Sequence, residues 1–307
     1  MAEASVTAAP NRTAEAALMI GVFALIIGYI DNYVRVIAGE IGLWQFQALR
    51  TGLMVPMLLL AVPLIGLRLR PVRPRAVLAR SLVHATGMLF YFGALGFLPV
   101  AQVAAGLFSA PFFVLLIQRL FYGRRITPIA ALAAALGFAG ILLVLGPGAA
   151  GEVGFASILP VAGGAFYAMG NVATREWCGR ESVATLTAGY MAALGLMGLA
   201  GMAILAWLAP EAAPGADGFL LRGAAWPSAE VWFWVAVQAA GSLVGVGLLV
   251  RGYQLTAASQ ASVFEYSVLP AAALWGWLLW GQVPGLAALA GMALIVAAGV
   301  LIAMRGR

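Results

Sequence analysis

Four ionisable side chains stand inside otherwise apolar runs of this sequence: His84, Glu265, Arg50 and Asp31. Near a bilayer centre an ionisable group costs about 2.5–3.5 kcal/mol on insertion scales, so each is a candidate for function. His84 is the only histidine, and His84, Met88 and Tyr91 fall at i, i+4 and i+7, on one face of a helix. In a cavity the imidazole could hydrogen-bond or titrate near neutral pH; against a neighbouring helix it would be ordinary interhelical glue. A desolvated Glu265 could carry a proton; at the inner rim it would be solvated or paired with a basic loop. Arg50, with Gln47 one turn away, could hold a carboxylate by a bidentate contact, snorkel to the surface, or pair with Asp31. Asp31 and Arg35, at i and i+4, read best as a pair near the outer surface.

Around these lie polar groups without charge. Asn32 has Tyr29 one turn away, Asn171 has Tyr167, and Gln238 shares a helix face with Ser242. Amides in mid-membrane either contact a substrate or hold helices together. Tyr29, Tyr91, Phe112, Tyr167, Tyr190 and Tyr266 would make an aromatic lining suited to apolar or aromatic ligands. Pro111 and Pro270 would each remove a helix hydrogen bond and bend the axis, leaving a carbonyl free to face a polar cavity. Gly241-x-x-x-Gly245, and Gly195, Gly198 and Gly201, read as close-packing surfaces. A lone histidine and the single cysteine, Cys178, make no metal site and no intrachain disulfide. No G-x-S-x-G, no H-E-x-x-H and no carboxylates paired at one depth appear, so no catalytic constellation can be built. No phosphate-binding loop is present to drive a pump. No enzyme, cofactor or metal is therefore expected.

The elements that position these groups follow from composition. The 307 residues are 64% apolar and 9% charged, with a mean hydropathy of +1.00. Soluble domains are about half apolar and a quarter charged, which excludes an ordinary soluble fold. At about 20 apolar residues per span there is room for roughly ten. The pattern predicts helices over 14–35, 44–66, 77–97, 100–122 and 128–146, then over 154–175, 183–209, 230–252, 258–280 and 285–304. Breakers separate them: Pro71 and Pro74, Pro99, Thr127-Pro128, Gly146-Pro147-Gly148, and Pro210 to Pro227. The long loop is 210–229. Asp31-Asn32-Tyr33 follows the first apolar run in place of small residues, so that run reads as an uncleaved first helix.

Charge orients the bundle. With the N-terminus in the cytoplasm, fourteen arginines fall on the cytoplasmic side: Arg12, the group Arg68 to Arg80, Arg119, Arg124, Arg125, Arg175, Arg180, Arg251, Arg305 and Arg307. Arg35 and Arg222 fall outside, and Arg50 within a span. Positive residues stay inside because they are not readily translocated. The net charge of +6 therefore reports topology, and nucleic acid is no partner. Seventeen basic residues, all arginine, resemble the codon usage of a GC-rich bacterium, which places the chain in a bacterial inner membrane with both termini cytoplasmic.

The chain also repeats. Pro111 and Pro270 are 159 residues apart, and that offset carries Gly140-Ile141-Leu142 onto Gly299-Val300-Leu301. An offset of 139 carries Asn32 onto Asn171. Five spans per half is an odd number, so the halves are inverted relative to each other, as in secondary transporters. The expected fold is all-α and integral to the membrane: ten helices in two inverted repeats around a central cavity. The repeats are 14–148 and 149–304, between a cytoplasmic segment 1–13 and a C-terminus 305–307.

The run Leu98-Pro99-Val100-Ala101-Gln102 into Pro111-Phe112-Phe113-Val114 resembles the drug/metabolite transporter superfamily, as do Phe264-Glu265-Tyr266, Leu269-Pro270 and Trp275-Gly276-Trp277-Leu278-Leu279-Trp280-Gly281. The layout is most similar to its ten-helix EamA-type branch, and within it to bacterial exporters of amino acids, including aromatic ones. Many relatives end the two runs with Gly-Glu; here stand Gly123-Arg124 and Gly281-Gln282, so a coupling role of those glutamates does not transfer. The resemblance implies a transporter of small hydrophobic or aromatic amino acids and related metabolites, working by alternating access. The alternative is a sugar-phosphate or nucleotide-sugar exchanger of the same superfamily. Partners are a small-molecule substrate and the lipid bilayer, with the chain a monomer or weak homodimer. The expected pocket wall comprises His84, Met88, Tyr91 and Phe112 from the first half and Tyr167, Asn171, Ser242 and Tyr266 from the second. Asn32 and Gln238 lie nearby, and Glu265 and Arg50 are coupling or carboxylate contacts. The topology predicts that a cysteine placed at Gly218, in the outward loop 210–229 of a Cys178-free chain, reacts with an impermeant thiol reagent outside intact cells; labelling only after lysis would reverse it.

Overall fold

The computed structural model describes residues 12–66, 68–94, 103, 106–145, 158–281, 283 and 285–305. The Leu98–Gln102 run, the Gly146-Pro147-Gly148 breaker and Gln282 lie outside the described residues, as does the Arg35 side chain. Each of the ten expected spans contains helix: α1 Thr13–Asp31 with α2 Val34–Glu40, α3 Leu43–Ile65, α4 Pro74–Ala94, α5 Ala110–Tyr122 and α6 Pro128–Leu145. The second half contains α7 Ile158–Glu176, α8 Val183–Leu208, α9 Ala229–Leu255, α10 Ala258–Phe264 with α11 Val268–Trp280, and α12 Leu286–Arg305. No strand occurs among the described residues.

Three spans are broken inside the bundle, each for a local reason. In the first, the Asn32 side chain donates to the Gly28 carbonyl at 2.6 Å, and the backbone N–H groups of Asn32 and Tyr33 reach back only three residues. A short polar side chain thus competes with the helix ladder. In the ninth, Pro270 has no N–H for the Tyr266 carbonyl, and the chain tightens into a 3-10 turn over Glu265–Ser267. In the fourth, a turn at Phe108-Ser109 precedes α5, with Ser109 N–H bonded to the Gly106 carbonyl at 3.2 Å. Pro111 sits in the first turn of α5, where a missing N–H is tolerated. Both prolines therefore begin the second part of a broken span; neither kinks a continuous helix. α5 and α11 are each 13 residues long and end on left-handed glycines, Gly123 and Gly281.

Packing carries the symmetry of the repeat. α1 packs on α9 and α11, while α7 packs on α4 and α5. Exchanging spans 1–5 with 6–10 converts the first pair of contacts into the second. α3 against α8 and α6 against α12 join each helix to its own counterpart. With five spans per half, this is the pattern of two inverted repeats. Small residues permit the approaches. A Cβ on Gly87 of α4 would meet the Tyr167 amide at 2.7 Å, and one on Gly198 of α8 would meet the Trp44 carbonyl at 2.7 Å.

The outer surface is that of a membrane protein. Leu60, Leu120, Leu196 and Trp207 are two-thirds exposed or more, the reverse of a water-soluble surface. Among the described residues five helices, over 13–40, 43–64, 183–208, 229–255 and 258–279, are long and apolar enough to cross a membrane, and three shorter apolar ones accompany them. At one end the loop after α8 is strapped down. Phe219 is buried against Ile37, Phe46 and Val235, Arg222 donates to the Ala38 carbonyl at 2.8 Å, and Gln45 pairs with both backbone groups of Ala225. Glu40 receives the Ser228 amide and hydroxyl, each at 2.8 Å. Within this loop Gly218 would press a Cβ on the Ala213 carbonyl, whereas Glu211 is exposed and is the position to carry a labelling cysteine.

The α6–α12 contact yields a stability test. A Cβ on Gly140 would lie 2.6 Å from the Gly291 carbonyl oxygen, so Gly140→Val must push the helices apart. Overpacking of this kind costs about 1–3 kcal/mol. The melting temperature of the detergent-purified variant should fall; an unchanged value would mean that these two helices do not meet there.

Candidate functional site

A cavity of about 860 Å³, counting its open part, lies at the centre of the bundle. α1 contributes Phe23, Ile27 and Asp31 to it, and α3 contributes Arg50. α4 contributes His84, Met88, Tyr91 and Phe92, and the broken fourth span Phe108 and Pro111. From the other half come Tyr167, Tyr190, Ser242 and, at the 3-10 turn, Glu265. The structure therefore brings together His84, Met88, Tyr91, Tyr167, Ser242, Arg50, Glu265 and Pro111 of the residues expected from sequence.

Other expected residues stand elsewhere, each for a visible reason. Phe112 is 41% exposed and packs edge-on against Phe138; one residue past Pro111, a helix has turned 100° away from the cavity. Asn32 is spent on the Gly28 carbonyl. Gln238 donates at 2.7 Å to the Ile30 carbonyl, at the point where α1 ends. Both amides act as glue for the break in the first span. Tyr266 is fully buried, its ring over Gly137 and edge-on to Phe108, behind the wall. Asn171 lies behind Glu265, and Pro270 is absent from the lining. Of the tryptophans, Trp275 ties α11 to α1 through a 2.9 Å bond to the Leu25 carbonyl.

The charged groups have distinct surroundings. Arg50 is 4% exposed. Its Nη2 donates to Gln47 Oε1 at 2.6 Å, and its guanidinium lies 5.0 Å from the Phe46 ring centre and 5.8 Å from that of Phe92. Its Nε and the Gln47 Nε2 are buried without a hydrogen-bond partner. Asp31, exposed where α1 ends, shares that region of the cavity with Arg50 in place of a site on the outer surface. His84 is buried between the rings of Tyr167 and Tyr190, each 4.7 Å away, and its Nδ1 has no partner. Glu265 accepts hydrogen bonds from the Tyr167 and Tyr253 hydroxyls and from Asn171 Nδ2 at 3.2 Å. Arg50 and Glu265 each have their own partners. No group of three His, Cys, Asp or Glu side chains able to hold a metal occurs among the described residues.

One embedded charge escaped the sequence reading. Arg80 was expected among the cytoplasmic arginines, yet it is 1% exposed. Its Nε donates to Thr174 at 2.9 Å and its Nη1 to the Leu186 carbonyl at 3.1 Å. The inner-loop set then holds thirteen arginines. α4 begins at Pro74, three residues before the expected start, which places Arg80 almost two turns inside. The available signal was its i, i+4 spacing to His84 on the same face. Tyr253, a donor to Glu265, was missed too, because nothing in its local sequence points to a partner twelve residues on.

The broken spans, the apolar outer surface and the central polar cavity mark a polytopic membrane protein. Residues 14–146, the first repeat, match the EamA-like transporter family. Over that stretch the chain is similar to membrane transporters of that family. A riboflavin transporter of Brucella anthropi is 28% identical over 219 residues, 71% of this chain and 72% of the relative. A riboflavin transporter of Rhizobium johnstonii is 28% identical over 73% of this chain and 68% of its own length. A pseudopaline exporter of Pseudomonas aeruginosa is 26% identical over 224 residues, 72% of each chain. These relatives are named for riboflavin and pseudopaline, not for amino acids. A crystal structure of a protein 20% identical to this one matches with a TM-score of 0.77 over 95% of this chain and 99% of that one, which shows a shared fold.

Arg80 offers a test of the site's foundation. Thr174→Val removes the acceptor of its Nε and leaves a buried guanidinium short of one partner. Hydrogen bonds to charged groups are worth about 1.5–3 kcal/mol, so a drop in melting temperature is expected, and rescue by Thr174→Ser. A Thr174→Val protein as stable as the parent would place Arg80 in water instead.

Proposed function

We propose that this protein is a secondary transporter, working as an exporter or facilitator, for small metabolites that combine an aromatic or large apolar body with a carboxylate and an amino group, aromatic amino acids foremost. The observation that supports this most is the pairing, in one cavity, of Asp31 and Arg50 with a wall of tyrosines and phenylalanines. Asp31 suits an ammonium group. The Arg50 guanidinium, which lines the cavity, suits a carboxylate. Tyr91, Phe92, Phe108, Tyr167 and Tyr190 suit an aromatic ring. The inverted halves would rock about this cavity, exposing it to each side in turn. The arginine-rich end then faces the cytoplasm, both termini lie there, and the bacterial inner membrane is the site of action. The repeats divide as 14–148 and 149–304, and the chain works as a monomer or weak homodimer with no cofactor and no catalysis.

A second reading takes riboflavin or a similar flat heterocycle as substrate. The aromatic wall and the two riboflavin transporters at 28% identity favour it. A phosphorylated sugar is disfavoured. Among the described residues Arg50 is the one arginine lining the cavity, because Arg80 is engaged by Thr174 and the Leu186 carbonyl, and one cation cannot neutralise a doubly charged phosphate in a low dielectric.

Liposomes containing the purified protein, loaded separately with L-phenylalanine, L-tryptophan, riboflavin or a hexose phosphate, separate these readings. Efflux of the amino acids above empty liposomes is expected, slowed several-fold by His84→Ala and by Tyr91→Ala at equal incorporation. Flux of riboflavin alone would select the second reading. Sugar-phosphate exchange without amino-acid flux would overturn both, and parental rates and selectivity in both variants would remove that face of α4 from the path.

A further inference from the structure

We infer that Glu265, held by Tyr167 and Asn171 of α7 and by Tyr253 of α9, is a proton-operated latch on the gate at the arginine-rich end of the cavity. The inference rests on the transporter reading but not on the substrate chosen there.

Three observations carry it. First, the carboxylate lines the cavity, and its three donors come from two helices behind it. Asn171 Nδ2 also donates to the Tyr253 hydroxyl at 3.0 Å, so α7, α9 and the ninth span are joined at a single carboxylate. Second, the same helices are tied together beyond it. The Arg175 guanidinium donates to the Gln254 carbonyl. Gln254 Nε2 donates to the Glu181 carbonyl at 2.9 Å and to the Cys178 carbonyl at 3.3 Å. Thr13 of α1 lies 3.1 Å from Thr256, hydroxyl to hydroxyl. This end of the bundle is shut, whereas Asp31, towards the other end, is exposed. Third, Glu265 opens the 3-10 turn ahead of Pro270, where the ninth span can pivot without breaking a complete helix ladder.

The chemistry of the latch follows. An ionised carboxylate accepts charge-assisted hydrogen bonds, roughly twice as strong as neutral ones. Adding a proton turns one oxygen into a donor, so at least one of the two tyrosine hydroxyls loses its acceptor and the rest weaken. One proton passes from cavity water to the Glu265 carboxylate, α7 and α9 part, and the proton leaves to the other side. Substrate moving outward as the carboxylate re-forms its bonds would make this an exchange of one proton for one substrate. The titratable and charged groups around Glu265 do not supply a rival. α6, α10 and α11 carry none. α1 holds Tyr29, packed on Trp275, Asp31 across the cavity, and the Arg12–Glu15 pair at its start. α7 adds Arg175 and Glu176 at its end, the latter paired with Arg124. Arg251 of α9 is half-buried, Arg119 of α5 is exposed and Tyr122 half-buried. His84 and Arg50 face the cavity from α4 and α3, and Arg305 ends α12.

The native cysteine reports on the gate without any substrate. Cys178 is buried in the turn that Gln254 holds, and burial pushes its thiol up to about 11. Its reaction rate with a maleimide is measured between pH 5.5 and 8.5 for the purified protein and for Glu265→Gln, whose amide mimics the protonated side chain. The ratio of the two rates cancels the intrinsic pH dependence of the thiol. At pH 8.5 the wild type should react at least tenfold more slowly than Glu265→Gln, and the two rates should converge as pH falls. A ratio that stays constant across the range overturns the latch. Should Glu265→Gln melt without cooperativity, Tyr253→Phe replaces it. Losing one donor to the ionised form makes protonation easier, so protection of Cys178 should be lost at a higher pH than in the wild type. An unshifted midpoint overturns the inference. A wrong substrate in the liposome assay leaves these outcomes untouched.

Discussion

Lipid offers no hydrogen bonds, so every backbone amide of a spanning helix must be satisfied within the protein. That constraint governs where this bundle can be irregular. The first, fourth and ninth spans are broken, and all three breaks border the central cavity. Their loose ends are taken up locally: Asn32 on the Gly28 carbonyl, Ser109 on Gly106, Ser267 on Phe264, and Gln238 reaching from α9 to Ile30. Breaks of this kind cannot face lipid. The cavity is where the fold can tolerate them, and it is also where function needs polar groups.

The charges obey the same rule in another form. Arg50, Arg80, His84 and Glu265 are buried, and none is bare. Arg80 is bonded to a hydroxyl and a carbonyl, Arg50 to an amide with two aromatic faces around it, Glu265 to two phenols and an amide, and His84 lies between two tyrosine rings. Neutral partners predominate. A direct ion pair would lock helices together, whereas neutral donors hold a charge while leaving its strength open to change by a proton or a ligand. Among these groups, Arg50 Nε and His84 Nδ1 are buried without a hydrogen-bond partner.

The inverted repeat gives these groups an arrangement in which motion is cheap. α1 and α7 each pack on the two helices that line the opposite half of the cavity, and glycine contacts let the backbones approach. The ends differ. The loop containing Phe219 and Arg222 is fixed to α2 and α3 at one end, and Arg175, Gln254 and Thr256 fix the helices at the other. The repeat makes the two halves alike, whereas these polar ties make the two ends different.

Much of this was legible in the residues alone. Apolar runs of about 20 residues, separated by proline and glycine, determine ten spans because bilayer thickness sets their length. The spacing of Pro111 and Pro270 points to the repeat, and His84, Met88 and Tyr91 declare a common face through the helical period. What required the tertiary structure was direction and partnership. Phe112 differs from Pro111 by one residue and points away from the cavity. Asn32 and Asn171 are related by the repeat, yet one caps its own helix and the other joins Glu265. Arg80 sits inside because α4 starts three residues earlier than its apolar pattern suggests. Tyr253 meets Glu265 because the chain turns back between α9 and α10. Period and hydropathy act along one helix, whereas the partner of a buried polar group is chosen by the helix lying opposite, and that choice is made only when the bundle packs.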